Sequence, residues 1–250
     1  AHFPLERVQP LETTISPFNI QKINQQGAMQ SVADQLMELI ISQKLLPGSE
    51  LPSEAELAEL FGVGKSSVRE ALRSLEALGV VEVRHGKKAM VSYPSAEPMA
   101  KVFKFVIFCS QSGLEDILEF RSILEIQAVS FAAQRRTEAQ LANIKVALDT
   151  FINSTNGPQE IFIENDMAFH ISIAEAVGNL MLTYTLHSYR EIIRESIKRL
   201  FVPLEKRDTE GLLQRHINIY TAIAEQDPIG AKEAMEVHFG VSGLLEYFRS

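Results

Sequence analysis

The sequence predicts a mainly α protein in two parts. The first is an N-terminal winged helix-turn-helix with a small β wing, the second a C-terminal all-α antiparallel bundle of about seven helices. Three observations carry this. A capping box and two helical patterns split by glycines fall between Leu51 and Gly79. Two short β-forming runs, Val80–Val83 and Ala89–Val91, flank a basic turn. Beyond Tyr93–Pro98, nearly every stretch repeats at helical spacing and none alternates as a strand would.

At 250 residues the chain has room for two ordinary domains, and 46% hydrophobic residues suffice for real cores. No apolar run approaches the length that spans a bilayer, so no membrane partner is expected. Cys109 is the only cysteine, which rules out a disulfide framework and a cysteine-based zinc site. No secretory leader is visible, and a cytoplasmic location is expected. The net charge of −8 argues against a nucleic-acid partner for the chain as a whole, but the acid is unevenly placed. From Ser95 onward there are 21 acidic and 15 basic residues, whereas Gly62–Lys88 holds six Lys or Arg against three Glu.

Residues 1–27, with Pro4, Pro10, Pro17 and Gly27 and no sustained period, read as an extended N-terminal arm. From Ala28 to about Gln43 a helix places Val32, Leu36, Leu39 and Ile40 on one face. Leu46-Pro47-Gly48 turns the chain towards Ser53, which with Glu56 forms the capping box. The helix it starts carries Leu57 and Leu60 on one face and stops at Gly62. A second helix begins at Lys65, with Val68, Leu72, Leu75 and Leu78 as its buried stripe, and Gly79 ends it. The winged domain spans 28–93, a linker 94–98 and the helical domain 99–250. Helices are expected there at about 98–111, 114–135, 138–154, 159–177, 180–202, 209–226 and 228–247. Phe103, Phe105, Ile107 and Phe108 should pack on the bundle or on a dimer partner, and Cys109 should be core.

The apolar stripe of the second helix leaves Lys65, Ser66, Ser67, Arg69 and Arg73 on its open faces. An N-terminal turn with free amides and hydroxyls is where such helices meet phosphates and base edges. Arg84, His85, Gly86, Lys87 and Lys88 form the wing tip. A solvated charged face is the alternative, but capping box, basic helix start and basic wing together favour double-stranded DNA.

These residues also carry a resemblance. Leu45-Leu46-Pro47-Gly48, Leu51-Pro52-Ser53-Glu54, Leu57-Ala58, Phe61-Gly62-Val63 and Ser67-Val68-Arg69-Glu70-Ala71-Leu72 resemble the N-terminal domain of the GntR family of bacterial repressors. The resemblance implies a homodimer reading an inverted-repeat operator. Two departures stand out: Ala55 replaces an arginine frequent after the Leu-Pro-Ser-Glu segment, and Gly64-Lys65 replaces the usual Ser/Thr-Arg pair. Lysine is a point charge where arginine is a bidentate fork, so an operator sequence does not carry over.

Asp166 and His170 are four apart on one expected helix, hence on one face; His216 and His238 follow on later helices. Three imidazoles and a carboxylate suit a divalent metal such as zinc, nickel or manganese. On spacing alone, four such residues scattered over about seventy positions are more often unrelated, and a lone histidine facing a core is more often simply hydrogen-bonded. Glu119-Phe120-Arg121 with Glu125, Asp166-Met167-Ala168-Phe169-His170, Gly178-Asn179, His216, Asp227 and His238 are similar to the FCD effector domain of the FadR subfamily. That resemblance implies that Asp166, His170, His216 and His238 bind a divalent metal, zinc foremost, which holds a small organic or sugar acid. It also favours Arg121 as the partner of the effector's carboxylate over a structural ion pair with Glu125 or Glu119. Asn179 reads as a helix cap and also stands among the candidate effector contacts. Arg190, on a helix that either lines the cavity or turns a charged face to solvent, is a further candidate.

Two function classes follow: a ligand-responsive transcription regulator, expected to be a repressor, and a metal-dependent enzyme using the three-His, one-Asp site. An enzyme needs a proton-transfer group beside the metal. Glu164 points elsewhere on its helix and Glu175 lies more than one turn beyond His170. The regulator is the expectation.

Overall fold

The computed structural model describes residues 28–84, 86–110, 113–200 and 209–241. The arm read at 1–27, the wing residue His85 and the outer ends of the helices expected to close at 111, 202 and 247 lie outside the described residues. The chain divides between Pro98 and Met99 into two compact units, each with its own core.

In the first unit, α1 (Ala28–Ser42), α2 (Glu54–Phe61) and α3 (Lys65–Ala77) close around one apolar cluster. Val32, Leu36 and Ile40 of α1 meet Leu57 and Phe61 of α2 and Val68, Ala71, Leu72 and Leu75 of α3. The Ser53 hydroxyl accepts from the Glu56 amide at 3.3 Å, and the Glu56 carboxylate accepts from the Ser53 amide at 2.7 Å. Helix α2 ends because Gly62 turns left-handed at φ 69°, a conformation that costs glycine nothing. The inward pair of α2 is Leu57 and Phe61, four apart; Leu60, expected on that face, is 38% exposed. Leu78 is 59% exposed because α3 closes at Ala77 and its cap leaves the stripe, where Ala71 is buried instead. Phe61 is fully buried, so Phe61→Ala is expected to cost about 3–5 kcal/mol, read as a lowered midpoint in urea unfolding.

The wing pairs β1 (Val81–Glu82) with β2 (Met90–Val91), antiparallel, with Val81 opposite Val91. A third run joins it. The Gly48 amide donates to the Val91 carbonyl at 2.8 Å, Val91 to Ser49 at 2.9 Å, and Leu51 to Ala89 at 2.8 Å. The stretch read only as a turn before the capping box therefore also ties the wing to the helices. Gly86, at φ 70°, turns the tip between Arg84 and Lys87.

The second unit holds seven helices among the described residues: α4 (Glu97–Cys109), α5 (Leu114–Arg135), α6 (Glu138–Asn153), α7 (Gln159–Ala176), α8 (Leu180–Leu200), α9 (Thr209–Ala224) and α10 (Pro228–Val241). Helix α4 starts inside the expected linker: the Ser95 hydroxyl accepts from the Glu97 amide at 3.2 Å, and Pro98 suits a first helical turn. Phe103 and Ile107, four apart, lie against a cluster that includes Leu118, Met167, Ile171 and Tyr189. Phe105 and Phe108 do not: they occupy the outer side of α4, with Phe108 84% exposed. Cys109, expected in the core, is exposed beside it.

Val129, Ile144, Phe169, Ile219 and Met235 centre the bundle core. Its helix ends are fixed locally. Thr137 and Gln140 form a second capping box, and Asp227 accepts from the Ile229 and Gly230 amides at 3.1 and 2.9 Å to start α10. Arg136 donates to the Ala224 carbonyl at 2.8 Å, satisfying the open end of α9. Helix α10 packs on α5 and α9, and α7 on α5, so the inner faces of four helices converge.

Candidate metal centre and nucleic-acid interface

On the first unit, Lys65, Ser66, Arg69 and Arg73 are exposed along α3 and Ser67 is half-buried. No side chain caps α3 at Gly64, which leaves its first turn suited to an anion. Three of the basic residues stand beside carboxylates. Arg69 donates from Nε and Nη2 to the two oxygens of Glu54 at 3.2 and 2.7 Å, linking α3 to the start of α2. Arg84 holds Glu82 in the same two-bonded way at 2.8 and 2.9 Å, and Lys88 lies 3.8 Å from Glu56. Gly86 and Lys87 are exposed at the wing tip.

In the second unit, His170 of α7, His216 of α9 and His238 of α10 are buried, and one ring nitrogen of each lies within 4.8 Å of the others. Asp166, one turn before His170, completes the group: its Oδ1 is 2.9 Å from His216 Nε2 and 3.9 Å from His170 Nε2. On His216 and His170 the other ring nitrogen is held from behind. His216 Nδ1 meets the Leu212 carbonyl at 2.9 Å, and His170 Nδ1 meets Glu125 Oε2 at 2.5 Å. Such contacts fix the ring plane and aim Nε2 inward. His170 Nε2 is buried without a hydrogen-bond partner.

Arg121 and Glu125 of α5 close the floor of the group. Arg121 is 1% exposed, donates from Nε to Glu125 Oε1 at 2.5 Å, and brings Nη2 to 3.9 Å from Asp166. Its Nη2 has no hydrogen-bond partner, and its guanidinium lies 5.6 Å from the Phe239 ring centre. The ion pair with Glu125, one of the two sequence readings of Arg121, is present, and the same side chain also lies beside Asp166 of the histidine group. Glu125, missed as a site residue, touches the arginine and a histidine at once. Its signal lay in its place four residues after Arg121, on the face that also carries Leu118 and Val129.

Burial and charge set the protonation states. Burial, with His216 and His170 alongside, pushes the His238 imidazole well below the ordinary histidine range. Burial also lowers His170, against the pull of Glu125. Burial would raise the Asp166 carboxyl, but the His216 hydrogen bond and attraction to His170, His216 and Arg121 hold it well below the usual carboxylate range. Arg121 and His170 likewise keep Glu125 ionised despite its burial. His170 and His238 are thus shifted towards the neutral imidazole and Asp166 towards the carboxylate, the forms in which such side chains ligate a cation. Glu125, ionised and committed to two partners, is not a free base.

Two expected effector contacts are engaged elsewhere. Asn179 is exposed beyond the C-terminal end of α7, where its side-chain oxygen accepts from the Leu182 amide at 3.2 Å and caps α8. A short polar side chain just before a helix is used by the backbone first. Arg190 of α8 forms an ion pair with Glu164 of α7. That contact also accounts for Glu164, which turns from Asp166 towards α8.

Comparison with known proteins agrees with both halves. Residues 28–91 match the gntR family of bacterial regulatory proteins, and residues 116–240 match the FCD domain. The chain belongs to the GntR family of transcription regulators. The HTH-type transcriptional regulator LutR of Bacillus subtilis (strain 168) is 30% identical over 203 residues, covering 80% of this chain and 92% of its own. The HTH-type transcriptional repressor NanR of Enterobacter sp. (strain 638) is 33% identical over 216 residues, covering 83% of this chain and 80% of its own. A solved structure of Streptococcus agalactiae GntR superposes with a TM-score of 0.67 at 26% identity, covering 87% of this chain and 99% of that one. This GntR-family protein is a DNA-binding regulator with an FCD effector domain, not an enzyme. No helix among its described residues is long and apolar enough to cross a membrane.

Proposed function

We propose that this regulator represses transcription as a homodimer on an inverted-repeat operator, and that a small organic or sugar acid bound beside a divalent metal changes its grip on DNA. The observation that carries the reading is the buried group of His170, His216 and His238 with the partly buried Asp166 beside it and Arg121 facing it. Three imidazoles and a carboxylate suit zinc, with nickel or manganese as alternatives. The cation would supply positive charge on one side of the ligand's carboxylate. Arg121 would supply the other, through the Nη2 that lacks a hydrogen-bond partner. The DNA contacts would come from Lys65, Ser66, Ser67, Arg69 and Arg73 of α3 and from His85, Gly86 and Lys87 of the wing.

A path for the response lies within the bundle. Helix α7 carries Asp166 and His170, and its Met167 and Ile171 belong to the cluster on which Phe103 and Ile107 of α4 rest. Helix α4 continues directly from the linker. A ligand that shifts α7 thus biases the helix that leads back to the DNA-binding unit, with a coupling of about 1–3 kcal/mol in typical cases. The test is operator affinity by fluorescence anisotropy across aldonates, uronates, lactate and citrate, with each acid followed by NMR. At least one acid is expected to change affinity severalfold without being consumed. Turnover of an acid with no change in DNA affinity would falsify the sensor reading.

A further inference from the structure

We propose that Glu54 is a positioning and specificity-determining residue: it holds the guanidinium of Arg69 so that only one edge of it remains for DNA. The inference rests on the reading of Arg69 as a DNA contact. Arginine has two hydrogen-bonding edges, Nε with Nη2 along its side and Nη1 with Nη2 at its end. Glu54 takes the side edge with both of its oxygens, at 3.2 and 2.7 Å. The end edge is the fork that reads the O6 and N7 of guanine. Glu54 is the first residue of α2 and Arg69 lies just past the first turn of α3, so both ends of the contact are anchored on helices of one packed unit.

Stability does not explain the pair. Neither side chain is buried, with Arg69 53% and Glu54 34% exposed, and ion pairs reached by solvent contribute little to folding. Its consequence is electrostatic and geometric. The Arg69 hydrogen bond lowers the Glu54 carboxyl, and Arg69, Lys65 and Arg73 all attract it. One carboxylate thus stands among three cations of the recognition helix. It offsets the charge that would draw Arg69 to any phosphate, and it removes the rotamer freedom that would let Arg69 reach one. What is left is an arginine suited to a base edge and poorly suited to non-specific binding.

The test uses the full-length protein, an operator selected by the parent from a random duplex pool, and a scrambled duplex of equal length. Glu54→Gln is expected to lower the operator-to-scrambled affinity ratio at least tenfold, with scrambled-duplex affinity held or raised. Its operator affinity should also depend more steeply on salt, by about one phosphate contact. In an Arg69→Ala background the same change should have no further effect on the ratio, because Glu54 acts through Arg69. Melting temperatures of all variants check that the fold is retained. A Glu54→Gln protein with an unchanged ratio, or an effect that persists in Arg69→Ala, overturns the proposal. If Arg69→Ala alone binds the operator like the parent, the reading of Arg69 fails instead.

Discussion

Purified protein is expected to hold about one divalent cation per chain, and His170→Ala or His216→Ala to lose most of it. Elemental analysis after dialysis would check this. The effect on stability should be large, since a ligand that binds only the folded state at a thousand times its dissociation constant adds about 4 kcal/mol. Chelation should therefore lower the melting temperature of the parent by several degrees and leave the His216→Ala protein nearly unmoved. His216 is the more telling position. Its ring lies against Phe151 at 4.3 Å between centres and is held by Leu212 and Asp166, so its loss should remove a ligand nitrogen that packing and hydrogen bonds both position. A metal-free parent whose stability ignores added zinc, nickel and manganese would return the histidines to the core.

Arg121 carries the second large effect, and the ion pair complicates the substitution. Arg121→Ala leaves Glu125 ionised, buried and short of a partner, at a cost of about 3–5 kcal/mol. Lost ligand response in that variant would be ambiguous. Arg121→Lys keeps a positive charge against Glu125 but loses the planar fork. Its expected signature is retained metal, a modestly lowered melting temperature, and loss of most of the thermal shift that an acid gives the metal-loaded parent. Differential scanning fluorimetry with and without metal separates these terms. An Arg121→Lys protein with the full acid-dependent shift would move the anion contact to another residue.

Much of the fold was legible because the information is local. Both α2 and the bundle helices are punctuated by residues that act within one turn: Ser53 with Glu56, Gly62, Asn179 and Asp227. Periodicity placed the core faces of α1 and α3, but not their edges. On α2, Leu60 and Phe61 both lie about one turn from Leu57, and only packing in the unit's core decides that Phe61, not Leu60, joins Leu57 inside. The third run of the wing was hidden for a different reason. Gly48–Leu51 bonds to residues far along the chain, and no local pattern announces such a pairing. In the buried group, the spacing of Asp166 and His170 showed a shared face, yet nothing short of the fold brings α9 and α10 to it. Glu125 was obscured by its own neighbour, since a helical Arg-Glu pair four apart looks like a surface ion pair until both are seen to be buried. Asn179 shows the converse, where one side chain fitted two roles and the nearer backbone amide holds it.

The exposure of Cys109 at the end of α4 has a practical side. It is the chain's only cysteine, so a thiol-reactive dye attaches at one place without any substitution. That place lies beside the outward-facing Phe108, on the helix whose inner residues rest against α5 and α7. A fluorophore there would watch α4 from the solvent side while an acid is titrated in, and its emission could be timed against the release of DNA.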